Sequence, residues 1–169
     1  MKFYIIIFIV FLSFSSCNEK VVEDDLSIGE AHYLKNEKSI IADCYLGFDS
    51  ENSKYFFYTI LKNELGYRRE KLLVREISNL KSSMQLDTIN SSFYTLIADG
   101  DVLQSSYKLD TSANNFFVID KYNEETGDVS GRFQLTMFLN KWYDWETQPE
   151  FDTIHFTQGQ FETRINYLD

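Results

Sequence analysis

Apolar and polar residues alternate along much of the chain after residue 38. A period of two is typical of β-strands that place one face on a core and the other face in water. Residues 54–61 are apolar on both faces, which predicts a central, covered strand. The apolar faces elsewhere comprise Ile40, Ala42, Cys44, Leu46 and Phe48 in one segment and Val129, Gly131, Phe133, Leu135, Met137 and Leu139 in another.

Two short stretches predict hairpins. Asp99-Gly100 lies between two apolar-patterned runs, and this dipeptide favours a type I′ turn because both central residues adopt positive φ. The acidic stretch 123–128 lies between the runs NNFFVIDKY and GRFQLTMFL in the same manner. We therefore expect antiparallel neighbours on both sides of each turn.

One region fits two kinds of secondary structure. Residues 71–77 are predicted to form a strand, because their neighbours in the sequence are strands. The apolar residues between 73 and 84 also fit one face of a helix. A short helix around 67–84 is therefore the alternative.

The last segment changes its alternation part-way, so a straight strand cannot bury both apolar sets. One extra residue near Gly159 would restore the phase, as in a β-bulge. A hairpin centred on Gln158-Gly159 is the alternative. The apolar sets are Ile154 and Phe156 before the change and Phe161, Ile165 and Tyr167 after it.

These patterns together predict an all-β fold. Aromatic residues make up 17% of the 169 residues, and large aromatic side chains suit a pleated, half-buried surface. The length fits one domain. We predict a single antiparallel β-sandwich or partly open barrel over residues 38–169.

The N-terminus departs from this pattern. Residues 3–14 form a continuous apolar run after Lys2, which is the length of a signal peptide and too short to span a bilayer. The run ends in FSSC at 14–17, which resembles the lipobox of bacterial lipoproteins. We therefore predict a signal peptide at 1–16.

The lipobox resemblance implies that Cys17 carries a diacylglycerol and becomes the first mature residue. Several acyl chains give stable membrane attachment. Residues 17–37 are polar and are predicted to be a tether, with an acidic run at 23–25. The expected location is the cell envelope, at the outer membrane, with the leaflet left open. Cys44, the other cysteine, is then an unpaired core residue.

A second resemblance covers roughly residues 115–166. The motifs SGRF at 130–133 and TQGQF at 157–161, after NNFFVIDKY, resemble the C-terminal half of small uncharacterised β-rich lipoproteins of Bacteroidota. This resemblance implies a β-domain on a lipid tether and no established activity. The Gly and Phe residues of these motifs are expected to be structural.

Composition and motifs exclude several function classes. The net charge of −10 opposes binding to nucleic acid. Recognised catalytic motifs are missing, and His32 and His155 are the only histidines. We therefore predict a protein that is not an enzyme and that has no cofactor and no metal.

The stretch 140–151 holds both tryptophans of the chain and is predicted to be a loop between two strands. Trp142, Tyr143 and Trp145 would form a recognition surface for a protein or a glycan. The alternative is that these strands extend and the tryptophans cap the sheet. The expected function is a non-enzymatic binding or accessory lipoprotein. A barrel-type carrier of a small apolar ligand and a glycan-acting envelope enzyme are the alternatives.

Overall fold

A computed structural model of the chain describes residues 27–80, 84–85, 92–96, 103–143 and 151–168. Four features of the sequence lie outside these residues: the predicted signal peptide, Cys17, the turn predicted at Asp99-Gly100, and Trp145. The described part consists of strands joined by turns. The strands are β1 (Gly29–Lys35), β2 (Lys38–Asp49), β3 (Lys54–Lys62), β4 (Arg68–Ile77), β5 (Met84–Gln85), β6 (Ser92–Leu96), β7 (Leu103–Leu109), β8 (Phe116–Tyr122), β9 (Asp128–Trp142) and β10 (Thr153–Leu168).

All strands belong to one curled sheet. The pairings run from β2 through β3, β4, β6, β7 and β9 to β10, and β10 returns to β2. Only the pairing of β10 with β2 is parallel. The all-β prediction is confirmed, and the sheet has the form of a partly open barrel. The strand prediction for 71–77 is also confirmed, and the helix alternative is wrong for 67–80, because β4 pairs with both β3 and β6.

The predicted tether ends too late in the sequence. Residues 29–35 form β1, which pairs with β10 on one side and with β2 on the other. Asn36 and Glu37 have φ of 46° and 68° and make the two-residue turn into β2. The prediction that the domain begins at 38 is wrong, since Ala31 and Tyr33 are buried in the core.

The bulge predicted near Gly159 is confirmed. Phe156 pairs with Leu135 and Gly159 pairs with Phe133, so β10 uses one residue more than β9 over this interval. Gln158, within the bulge, has a φ of 53°. Both apolar sets of β10 therefore point into the core, with one exception. Tyr167 was expected to be buried, but it lies at the open end of the sheet and is 64% exposed.

An aromatic cluster fills the interior of the described part. The Phe57 ring lies 5.2 Å from Phe117, 5.9 Å from Phe133 and 4.6 Å from Phe161, centroid to centroid. All four side chains are at most 2% exposed. Phe57 comes from β3, the strand predicted to be central. Residues far apart in sequence thus meet at one point in the core.

The SGRF and TQGQF motifs pack against each other through their glycines. Gly131 pairs with Phe161, and Phe133 pairs with Gly159. A Cβ on Gly131 would lie 2.7 Å from the Phe161 ring, and a Cβ on Gly159 would lie 2.6 Å from the Phe133 ring. Each phenylalanine therefore covers the glycine of the other motif, an arrangement known to support glycines within sheets.

We predict that Gly131→Ala destabilises the protein more than Gly159→Ala does. A Cβ on Gly131 would meet the Val118 carbonyl oxygen at 2.2 Å, and this backbone atom is held in the β8–β9 pairing. The only close atoms at Gly159 belong to a phenylalanine ring, which can shift. We expect losses of about 3 and about 1 kcal/mol in unfolding free energy.

Urea unfolding measures this difference. Ser130→Ala is the control, since it adds no atom at the same crossing and is expected to change stability by less than about 0.5 kcal/mol. Equal losses at the two glycines would contradict the carbonyl contact as the deciding factor.

Candidate functional site

The predicted aromatic loop begins later than expected. Residues 140–142 belong to β9, and Trp142 pairs with Ser105 of β7. The loop prediction is wrong for these residues because β7 supplies the backbone partners that extend the strand. The backbone N–H of Tyr143 continues this contact by donating to the Gln104 carbonyl at 2.9 Å. The strand therefore extends through Trp142, in agreement with the strand extension in the alternative.

Two of the three predicted aromatic residues present surface to solvent. Trp142 is 38% exposed and Tyr143 is 45% exposed. The Lys141 Nζ lies 4.5 Å from the centroid of the Tyr143 ring, which is cation–π distance. Trp145 lies outside the described residues. A binding role for this surface stays a prediction.

A polar groove runs over the outer faces of β1, β10, β9 and β8. Two concave regions of about 710 Å³ and about 550 Å³ share Lys121, Ser130 and Glu162 in their lining. Adjacent strands place Glu30, Glu162, Ser130 and Lys121 in one row across the groove. We call this set of four the charged row.

Ion pairs fix both walls of the groove. The Arg132 guanidinium donates two hydrogen bonds of 2.8 Å to the Asp120 carboxylate, and these bonds lower the pKa of Asp120. The Arg164 Nε donates to Asp128 at 3.0 Å. A hydrogen bond from Thr126 and then the Arg164 contact lower the pKa of Asp128. These carboxylates are therefore ionised and already engaged.

The charged row itself is incompletely paired. Glu30 and Glu162 lie directly opposite each other on neighbouring strands. His32 Nε2 contacts Glu30 Oε1 at 2.5 Å. Within the described part of the chain, the exposed side chains of Glu162 and Lys121 form no ion pair. The groove thus offers acidic groups at β1 and β10 and a cation at β8.

Sequence reasoning missed this groove because its lining comes from three distant segments. The polar positions of 130–136 were correctly predicted to face water. The hydrophobic pattern does not indicate that β1 lies beside β10, because residues 29–35 fall within the predicted tether. The placement of Glu30 and His32 follows only from the β1–β10 pairing.

A buried ion pair lies on the inner face of the sheet. The Lys35 Nζ donates to Glu70 Oε1 at 2.6 Å, with side chains 15% and 17% exposed. Lys35 Nζ also lies 5.2 Å from the Phe93 ring centroid. Burial raises the pKa of nearby Tyr33 to about 12, against a hydrogen bond with Thr59 that lowers it. The cluster joins β1 to β4 and lies outside the groove.

No group of three or more His, Cys, Asp or Glu side chains among the described residues is placed to hold a metal ion. His155 is exposed, and its Nδ1 lies 3.3 Å from Thr136 Oγ1. Nor does this part of the chain include a helix long and apolar enough to cross a membrane.

Cys44 is a core residue, as its strand position predicted. Its side chain is fully buried, and its Sγ donates to the Glu162 carbonyl at 3.7 Å. Burial raises the pKa of the thiol from 9.0 to about 12. The protonated form therefore dominates at neutral pH, and thiolate chemistry is suppressed.

No protein-family model, curated protein or solved structure matches the chain. The resemblance to lipoproteins of Bacteroidota accordingly stays a prediction.

We predict that Cys44 resists thiol reagents in the folded protein at neutral pH and reacts fully in denaturant. The same raised pKa makes stability depend on pH. The stabilisation from the neutral thiol is complete below pH 9.0 and is lost as pH rises toward 12. Timed maleimide labelling measures the reactivity, and the Cys44→Ala variant gives the background. Rapid labelling of folded protein would contradict the buried placement.

Proposed function

We propose that the protein is a lipid-anchored, non-enzymatic binding module of the cell envelope, and that the polar groove receives its partner. The opposed pair Glu30 and Glu162 carries this proposal. Like charges directly opposite on neighbouring strands destabilise a sheet. A partner that places a cation between the two carboxylates would remove this repulsion. The pair is therefore better suited to binding a partner than to stabilising the sheet.

The charged row also indicates what kind of partner fits. Neighbouring strands lie about 4.8 Å apart, so Glu162 and Lys121, two strands apart, are separated by about 10 Å. An extended polypeptide spans this distance in three residues at about 3.3 Å each. A protein segment with a basic residue near Glu162 and an acidic residue near Lys121 matches the row. A glycan is less well supported, because Tyr122 is the only aromatic residue other than buried Phe161 in the described lining.

The alternative functions find less support in the described residues. A carrier of an apolar ligand needs an internal cavity, whereas the rings around Phe57 pack within 6 Å of one another. A glycan-acting enzyme needs carboxylates in a water-excluding cleft. The Glu30 side chain is 65% exposed on an open sheet face. These observations favour a binding role.

The anchor rests on the N-terminal sequence. The apolar run 3–14 and the FSSC motif support cleavage before Cys17 and lipid on its thiol. We predict that mass spectrometry of protein from its own membrane finds Cys17 as the first residue, with a mass increase from diacylglycerol. A mature N-terminus at another residue, or an unmodified Cys17, would contradict the anchor.

We further predict that exchanging the charges of Lys121 and Glu162 abolishes partner binding. Lys121→Glu with Glu162→Lys keeps the net charge but reverses the row, so the partner meets like charges. Crosslinking in intact membranes, followed by mass spectrometry, identifies partners. We expect a loss of at least about tenfold, as like-charge contacts cost several kcal/mol.

The matched control exchanges two exposed charges elsewhere. Lys108→Glu with Glu64→Lys also keeps the net charge, and both residues lie outside the groove lining. This control should keep every partner. If the groove variant also keeps every partner, the groove is not the binding site. This conclusion holds whether or not Cys17 carries lipid.

A further inference from the structure

The chain enters the domain at a fixed point. The Ser27 backbone N–H donates to Asn166 Oδ1 at 2.6 Å, and Asn166 Nδ2 donates to the Ser27 carbonyl at 3.1 Å. Asn166 is only 8% exposed, and its Nδ2 lies 3.4 Å from the Leu46 carbonyl. This two-way contact pins Ser27 to the C-terminal end of β10. Whatever precedes Ser27 must therefore leave from this end of the sheet.

Aromatic side chains surround this exit. The Phe48 ring lies 4.8 Å from Tyr55 and 6.0 Å from Tyr167, and Tyr167 hydrogen-bonds Tyr122. We call these four residues the aromatic rim. Tyr167 is 64% exposed, and the neighbouring Ile28 is 59% exposed. Exposed Tyr167 and Ile28 thus lie at the point where the chain leaves, beside the other three rim residues, which are half-buried and pack against the core.

The sequence between the exit and the anchor is short. Nine residues, 18–26, separate Cys17 from Ser27. Ten steps of chain reach at most about 34 Å when fully extended. A flexible chain of this length has a mean span of about 17 Å. A lipid on Cys17 therefore keeps Ser27, and the aromatic rim beside it, within about 34 Å of the bilayer surface and on average at about half that distance.

We infer that the aromatic rim and Ile28 dock on the lipid surface and orient the domain with its Ser27 end toward the membrane. This inference rests on the proposed lipid anchor. Tyrosine suits the interface because its ring enters the apolar boundary while its hydroxyl stays hydrated. Because the lipid anchor gives the domain a high local concentration at the bilayer surface, a small apolar contact is sufficient for docking.

Charge selects the kind of lipid. Acidic residues beside the rim are Asp49, at the end of β2, and Glu51, Glu124 and Glu125 in the adjoining turns. Negative charge at this end opposes anionic headgroups. The docking surface therefore fits a zwitterionic lipid face. The β1–β2 turn and the β3–β4 turn, at the opposite end of the sheet, then point away from the bilayer.

Spin labels at the two ends test the orientation. Full-length lipidated protein is reconstituted into phosphatidylcholine vesicles with a nitroxide at Glu51→Cys, beside the rim, or at Leu65→Cys, in the β3–β4 turn. Buried Cys44 does not compete for the label. We expect at least a twofold lower accessibility to a water-soluble nickel chelate at position 51 than at position 65. In detergent-free solution, the unlipidated chain, with Cys17→Ser so that no other accessible thiol takes the label, should give similar accessibility at the two positions.

Paired variants make the test specific. Ile28→Ser with Tyr167→Ser should raise the accessibility at position 51 to the level of position 65. Leu65→Ser with Tyr67→Ser removes two exposed apolar side chains at the other end and should leave position 51 protected. Equal accessibility at both ends, on protein whose Cys17 mass shows lipid, would overturn the orientation and leave the anchor intact. An unmodified Cys17 would overturn both.

Discussion

Two glycines and two phenylalanines hold β9 against β10, and much of the sheet depends on this contact. Phe161 lies over Gly131 and Phe133 lies over Gly159. Each strand therefore has a glycine at the position where the other strand places a phenylalanine ring. Residues larger than glycine would force the strands apart at this crossing. The same two rings then meet Phe57 from β3 in the core.

The crossing matters because β9 and β10 are the two longest strands, and each pairs with three others. β9 pairs with β10, β8 and β7, while β10 pairs with β9, β1 and β2. The bulge between Phe156 and Gly159 keeps the inward face of β10 apolar on both sides of the bend. Curvature of the sheet, burial of the core and placement of β1 therefore follow from this one pair of strands.

The outer face of the same strands carries the proposed site. Side chains alternate across a strand, so inward Gly131 and Phe161 require Ser130 and Glu162 to face outward. The pairing of β1 with β10 then brings Glu30 opposite Glu162. The groove is thus a consequence of the core register. The Asn166 contact with Ser27 similarly joins the fold to the proposed orientation of the domain at a membrane.

The sequence by itself determined the all-β class, the central position of 54–61, the burial of Cys44, the alternation of 129–139 and the bulge near Gly159. Each depends on a period of two or a break in it, which is a local property of the chain. Only the tertiary structure decided that 29–35 is a strand, that Trp142 extends β9 and that Tyr167 is exposed. These features depend on which strand lies alongside and where the sheet ends. Both the neighbouring strand and the end of the sheet are set by residues that are distant in sequence. The local alternation of apolar and polar residues does not depend on them.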